Sequence, residues 1–303
     1  MDHHEQFRRA AIERGFPADE VGRFAEFLRF SIRAGGNPAG EVVGQHGGLP
    51  RLPVGVEWPS SKSGPLPFIA SLDCAALPRV PGLALPVDGA LLFFLNRALA
   101  FNYGIASNSV DGEQQYARVM HVPAGTEAAP AEAPAGLDSV SPQRNLFATV
   151  VAELPFWLDG CDEDDPDSTR IDNAAHLGRD LQHRDELCEL AKELWPRSTS
   201  PLIFLGGYTG GGGAMATDYL DDTPELAMAE DNLTARQKAD GIIIAETEWD
   251  LRLEEETLRV MHEWIPLAQF AKEEAYWGCF LIRHEDLAAR RFDKALSRTE
   301  FTE

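Results

Sequence analysis

The stretch that decides the fold runs Gly47-Gly48-Leu49-Pro50-Arg51-Leu52-Pro53-Val54-Gly55-Val56-Glu57-Trp58-Pro59 and resumes at Pro65-Leu66-Pro67-Phe68-Ile69-Ala70-Ser71-Leu72-Asp73. Glycines and prolines punctuate its first part and predict a turn, whereas the second part has the apolar pattern of a half-buried strand. The same reasoning predicts strands at residues 90–95, 116–122, 146–154, 201–205, 242–244, 264–270 and 277–282. We expect these strands to form mainly antiparallel sheets flanked by helices, which is an α+β fold.

Apolar residues at helical spacing predict that residues 1–36 form an N-terminal helical cap. The spacing continues through Val21, Phe24, Leu28 and Ile32. Gly35-Gly36 is expected to end that helix. Further helices are predicted at residues 176–195, from Thr223 to about Lys238, at 251–261 and at 285–296. The proline-rich residues 123–142 are expected to form a surface loop.

The two halves of the chain show the same order of features. In the first half Gly47-Gly48 precedes the strands at 69–73 and 89–95, and in the second half Gly206-Gly207 precedes those at 264–270 and 277–282. This order predicts an old duplication, with two related and mainly antiparallel sheet units in one globular body. The expected organisation after the cap is one domain at 37–303, with a first half at about 37–155, an acidic loop and helix at 156–195, and a second half at about 196–303.

The same blocks resemble the YwqG-like family, a bacterial family whose function is not established. Gly47 to Pro59 is similar to the family's Gly-Gly-x-Pro…Leu-Pro…Trp-Pro opening, and Pro65 to Pro78 is similar to its Pro-Leu-x-Phe-Leu-Ala-Gln-Ile-Asp segment. Trp277-Gly278 and the residues that follow look like its closing strand and helix. The chain departs from the family's Gln at Ser71 and from its Asp at Ala271 and Cys279. These departures argue against a catalytic site shared with those relatives.

Acidic residues are concentrated in the middle of the chain. The net charge is -22, and residues 151–275 carry -19 of it. Such a charge repels nucleic acid and anionic membranes and attracts basic proteins, most strongly at low salt. We therefore predict a non-catalytic binding protein with an acidic surface for a basic protein partner, for example a neutraliser of a toxin or nuclease. The candidate surface residues are Asp162, Glu163, Asp164, Asp165, Glu254, Glu255 and Glu256; alternatively, the acidity serves only solubility.

Sequence motifs for catalysis or cofactor binding are absent. The chain has no Gly-x-Ser-x-Gly, Walker, zincin or kinase motif, and its four cysteines lack the spacing of a zinc site. The run from Gly206 to Gly213 lacks the Gly-Lys-Ser/Thr of a phosphate-binding loop and is interpreted as a flexible turn or lid. We expect no cofactor and no metal.

A second functional hypothesis is a small-molecule-binding protein or enzyme with a pocket between the two halves. Its candidate lining residues are Trp58, Asp73, Gln269 and Trp277. Asp73 is also consistent with a carboxylate that caps a turn. Each tryptophan is also consistent with a side chain that fills a core.

The cell compartment is predicted from the absence of targeting signals. No apolar run is long enough to span a membrane, and the first residues lack the apolar core of a signal peptide. The four cysteines fit reduced thiols buried as small apolar side chains. The sequence therefore predicts a cytoplasmic protein.

Overall fold

A computed structural model describes most of the chain. The described residues are 2–36, 40–101, 109–110, 113–137, 140–155, 158, 181–196, 201–209, 223–241, 244–273 and 276–301. The strands are β1 (Arg29–Gly35), β2 (Val42–His46), β3 (Arg51–Pro53), β4 (Ser60–Ser61), β5 (Gly64–Pro65), β6 (Phe68–Asp73), β7 (Ala90–Leu95), β8 (Ser109–Val110), β9 (Glu113–Gln114), β10 (Ala117–Val122), β11 (Ala128–Pro130), β12 (Arg144–Glu153), β13 (Pro201–Gly206), β14 (Trp264–Glu273), β15 (Tyr276–Arg283) and β16 (Leu296–Phe301). The helices are α1 (His3–Glu13), α2 (Ala18–Ala25), α3 (Arg97–Phe101), α4 (Arg184–Leu194), α5 (Pro224–Asp240), α6 (Glu246–Glu263) and α7 (His284–Ala288), with a 3-10 turn at Phe292–Lys294.

Ten of these strands form one antiparallel sheet in the order β10-β7-β6-β2-β12-β1-β13-β14-β15-β16. The sheet curls strongly and brings its two halves together. The centre of the Phe93 ring on β7 lies 5.6 Å from that of Phe270 on β14 and 5.7 Å from that of Phe280 on β15. Its inner face encloses the main apolar core, and α1, α2 and α4 contribute to the same core through residues such as Phe7, Phe24 and Leu187. The predicted α+β class, helices combined with antiparallel sheet, is therefore confirmed.

The prediction of a helix through Ile32 is wrong, although α1 and α2 confirm helices in residues 3–25. Residues 29–35 form β1, which pairs with β12 on one side and β13 on the other. Phe30, Ile32 and Ala34 enter the core, while Ser31 and Arg33 alternate onto the outer face of the sheet. The period of two between these residues is the pattern that the longer helical spacing concealed.

The predicted C-terminal helix is also wrong beyond α7. Arg290 has a φ of 58°, which is a left-handed conformation that a continuing helix does not permit. Arg291 then donates from Nε to the Asp286 carboxylate at 2.6 Å and folds the chain back. The following residues pair with β15 as the edge strand β16, so tertiary pairing decides this segment.

Both double-glycine turns adopt the left-handed backbone that favours glycine. Gly47 and Gly48 have φ angles of 65° and 70°, and Gly206 and Gly207 have 73° and 77°. The first turn follows β2 and the second follows β13. Counted outward from the central pair β12–β1, these two strands occupy the same place on either side of the sheet.

Candidate functional site

The helices α5 and α6 form a two-helix unit on the outer face of the sheet, which we call the acidic hairpin (residues 223–263). Thr223 caps α5 by accepting a hydrogen bond from the Leu226 N–H at 3.2 Å, and Pro224 occupies the first turn, as predicted. Gly241 ends α5 with a φ of 65°. The hairpin contains eleven acidic and four basic residues.

The inner side of the hairpin packs on the outer face of β14 and β15. Met228 and Ala229 from α5 and Val260 from α6 share an apolar cluster with Trp264, Cys279 and Leu281. Burial of these apolar side chains holds the two helices against the sheet.

Glu256 lies inside the hairpin, so its expected place on an acidic surface is corrected. Its carboxylate is buried and accepts hydrogen bonds from Asn232 at 2.9 Å, from Arg236 at 3.2 Å, and from Arg259. The hydrogen bond from Arg259 is the main reason why the pKa of Glu256 is lowered against the opposing effect of burial. The residue therefore ties α5 to α6. Of the two glutamates that precede it, Glu254 is half-buried and Glu255 is exposed.

A buried polar cluster around Glu153 lies at the foot of the hairpin. The Glu153 carboxylate accepts hydrogen bonds from Ser31 Oγ at 2.5 Å, from Arg33 Nη2 at 3.2 Å and from the Tyr208 N–H at 2.9 Å. The Arg33 and Glu153 side chains are each 5% exposed. A Cβ atom at Gly207 would collide with this carboxylate, so glycine is needed here for space as well as for its backbone conformation.

Arg29 and Glu225 connect this Glu153 cluster to the two helices. Arg29 donates from Nη2 to the Met261 carbonyl at 3.0 Å, and its guanidinium stacks 4.2 Å from the centre of the Tyr208 ring. Glu225 at the start of α5 is buried and accepts a hydrogen bond from Thr209. Burial raises the pKa of Glu225. These contacts fix the position of the hairpin on the sheet.

The outer side of α6 carries exposed apolar residues among acidic ones. Leu251 and Leu258 are 58% and 43% exposed, and their separation of seven residues places them on one side of the helix. Glu254 and Glu255 lie between them in sequence, and neither makes an ion pair within the described part of the chain. We call this side of α6 the outer α6 face.

The four residues predicted to line a pocket between the halves do not come together. Trp58 packs in an apolar cluster with Phe94 and donates from Nε1 to the Leu66 carbonyl at 2.8 Å, whereas Trp277 packs in the separate cluster beneath the hairpin. Gln269 is fully buried and donates to the Tyr208 carbonyl at 3.2 Å. Asp73 accepts a hydrogen bond from the Ala75 N–H at 2.9 Å, which confirms its interpretation as a turn cap.

Asp73 also lines an open cleft of about 600 Å³ on the outer face of the first half of the sheet, which we call the Asp73 cleft. Its floor is formed by β12, β2, β6 and β7, and β3, β11 and the loops after Asp73 and Val122 form its walls. The polar lining residues are Gln45, Arg51, Ser71, Asp73, Asp88, Thr126, Gln143 and Asn145.

The described residues contain no group of three His, Cys, Asp or Glu side chains that could hold a metal ion. Cys74, Cys188 and Cys279 are buried and reduced, and burial raises the pKa of the Cys74 thiol to about 11, which leaves it protonated at neutral pH. None of the helices searched is long and apolar enough to cross a membrane. Asp162 to Asp165 and Gly210 to Gly213 lie outside the described residues, so their predicted roles stay predictions.

Sequence reasoning missed Ser31, Arg33, Glu153 and Tyr208 as a group. The alternation of polar Ser31 and Arg33 with apolar neighbours was the available signal for the first two. Glu153 and Tyr208 come from parts of the chain far from β1 in sequence, so no local pattern could identify them as partners of Ser31 and Arg33.

Comparison with known proteins identifies the family without an activity. None of the curated proteins matches this sequence. A family model described as a domain of unknown function, DUF1963, matches residues 44–300, which is most of the chain and includes the strands from β3 to most of β16. The chain therefore belongs to the DUF1963 family.

Proposed function

We propose that this chain is a non-catalytic binding protein that captures a basic protein partner through the outer α6 face. The observation that carries the proposal is the exposure of Leu251 and Leu258 beside Glu254 and Glu255. Exposed apolar residues that share one helix face and are bordered by polar side chains have the arrangement of a protein interaction site. A neutraliser of a toxin or nuclease is one form of such a protein, because an acidic face can mask a basic active cleft.

The charge of this face selects the class of partner. Glu254 and Glu255 have no cationic partner within the described residues, so a partner's lysines and arginines would pair with them without displacing an internal ion pair. A second copy of the same face is disfavoured, because its glutamates would repel these. Surface pairs of this kind contribute about 0.2–1 kcal/mol each and act mainly on the rate of association. Most of the affinity would then come from burial of the two leucines.

We also propose that the chain is a YwqG-like protein built by duplication. The matching places of β2 and β13 in the sheet, each followed by a left-handed glycine pair, support the second part of this proposal. The motif blocks at residues 47–59 and 65–78 support the first part.

The test of partner binding compares two charge-reversal variants with the same change in net charge. The test variant is Glu254→Lys/Glu255→Lys. The control variant is Glu57→Lys/Glu127→Lys, which alters two exposed residues near β3 and β11. Each protein is used to capture partners from native lysate at low and at moderate salt, and captured proteins are identified by mass spectrometry.

We expect a basic protein to be captured stoichiometrically by the wild type and by the control variant, more weakly at moderate salt. The same protein should be lost from the test variant at both salt concentrations. Equal capture by the two variants would show that the outer α6 face is not the binding surface.

A further inference from the structure

The Asp73 cleft lies where a short side chain, Ser71, occupies the outer face of β6. Ser71 on β6 pairs with Gln45 on β2 and with Leu92 on β7. At the same distance from the central strands, Gln269 on β14 pairs with Phe204 on β13 and Cys279 on β15. Gln269 is fully buried and fills its position, whereas the shorter Ser71 leaves its position open.

The lining of the cleft combines carboxylates, amides and apolar walls. Asp73 uses Oδ1 to cap Ala75, and its other oxygen accepts no hydrogen bond from the described residues. Asp88 provides a second exposed carboxylate. It lies two residues before Ala90, the β7 residue that pairs with Asp73. The guanidinium of Arg51 also lines the cleft but donates to the Ala128 carbonyl. Val42 and Val122 supply apolar surface.

We propose that the Asp73 cleft binds a small organic cation with a primary ammonium group on an aliphatic chain. An ammonium group donates charge-assisted hydrogen bonds to carboxylates, and the aliphatic carbons of the ligand lie against the apolar wall. The two carboxylates disfavour an anionic ligand, since Arg51 is the only guanidinium among the described lining residues that offsets them. The cleft volume of about 600 Å³ lies within the range of known ligand sites.

This site is separate from the outer α6 face, which lies on the second half of the sheet. Binding of an ammonium compound in the cleft therefore does not depend on the proposed capture of a basic protein. The Glu254→Lys/Glu255→Lys variant provides a direct check, because it should retain cleft binding.

The test uses isothermal titration calorimetry of the full-length protein with putrescine and with L-lysine. Glycerol serves as the neutral probe and citrate as the anionic probe. Asp73→Asn removes the carboxylate charge, and Ser71→Gln places in the cleft the side chain that fills the matching position at Gln269. The control variants are Asp293→Asn and Ser63→Gln, which alter an exposed aspartate and an exposed serine elsewhere.

We expect the wild type to bind at least one of the two ammonium probes at a single site, with no binding of glycerol or citrate. Asp73→Asn should weaken this binding by about 10-fold or more, and Ser71→Gln should abolish it. The two controls should bind as the wild type does. Thermal unfolding of each variant confirms that it is folded, and Asp73→Asn decides the question if Ser71→Gln does not fold.

Three results would each overturn the proposal. The first is no binding of either ammonium probe at a concentration of about 10 mM, which is a weak limit for a small ligand. The second is binding at several weak sites that Asp73→Asn leaves unchanged, which would indicate general attraction to the acidic protein. The third is equal binding of glycerol, which would show that the ammonium group is not recognised.

Discussion

Replacement of Gly207 by alanine tests the link between the second glycine turn and the Glu153 cluster. Gly207 has a φ of 77°, and an alanine there carries a strain of about 1–2 kcal/mol. Its Cβ would also displace the Glu153 carboxylate from Arg33 and from the Tyr208 N–H. Disruption of a buried ion pair costs about 3–5 kcal/mol. We therefore expect Gly207→Ala to lower the free energy of unfolding by about 4–7 kcal/mol.

Gly241→Ala is the matched control for this substitution. Gly241 has a φ of 65°, so it bears similar backbone strain, but nothing lies within 4 Å of the Cβ it would gain. We expect Gly241→Ala to lower the free energy of unfolding by only about 1–2 kcal/mol. Urea unfolding of the two variants at neutral pH, followed by tryptophan fluorescence, measures the difference. Losses that agree within about 1 kcal/mol would refute the argument, because strain alone would then explain both.

Three further predictions concern the outer α6 face, the helical layer and the core. Leu251→Ser/Leu258→Ser should change the unfolding free energy by less than about 1 kcal/mol, since both residues are exposed, yet it should abolish partner capture in the lysate assay. Glu20→Gln should destabilise the protein most near pH 5.5 (about midway between the usual pKa values of 4.5 and 6.5) and less at alkaline pH, as shown by thermal unfolding across pH. Phe93→Ala should lower the unfolding free energy by about 3–5 kcal/mol, because this fully buried ring on β7 contacts β14 and β15 in the other half of the curled sheet. A loss below about 1 kcal/mol in urea unfolding would contradict this contact between the two halves.

The pH dependence of the Glu20 prediction follows from its contacts with His183. Glu20 accepts hydrogen bonds from the His183 N–H and from its Nδ1, both at 2.7 Å. The side-chain hydrogen bond to Glu20 raises the pKa of His183, so this stabilisation is present below its usual pKa and is lost as pH rises through the raised value. Burial opposes ionisation of Glu20, but the bonds from His183 outweigh it and lower its pKa, so its contribution is lost as pH falls through the lowered value. A constant effect of Glu20→Gln across pH would contradict this coupling.

Local sequence patterns predicted the elements whose stability is local. The turn at Gly47-Gly48 and the capped start of α5 at Thr223 each depend on residues close in sequence, and each was predicted. The strand β7 was predicted from its own apolar run. β1 was mistaken for helix, because Val21 and Phe24 in α2 set a spacing that Ile32 happens to continue. Only its pairing with β12 and β13 resolves that ambiguity, and such pairing is not visible in one sequence.

The candidate sites depended even more on distant contacts. Glu256 was expected on the surface because it lies in an acidic run, but its position on the inner side of α6 brings it to Asn232 and Arg259. Asp73 was correctly interpreted as a turn cap, because an aspartate that caps a backbone N–H two residues later is a local feature. The cleft around it could not be predicted, since strands and loops that are far apart in sequence build its walls.

The buried polar cluster bears on the proposed docking surface, because it holds the acidic hairpin in one orientation. Apolar burial of Met228 and Val260 holds the hairpin to the sheet, but apolar contact is not directional and leaves its orientation poorly defined. Arg29 and Glu225 add directional contacts at both helices, to the Met261 carbonyl and to Thr209. Buried charges of this kind contribute little net stability, because their desolvation offsets most of their attraction. Their effect is to fix one arrangement, and a surface held in one arrangement loses less entropy when a partner binds.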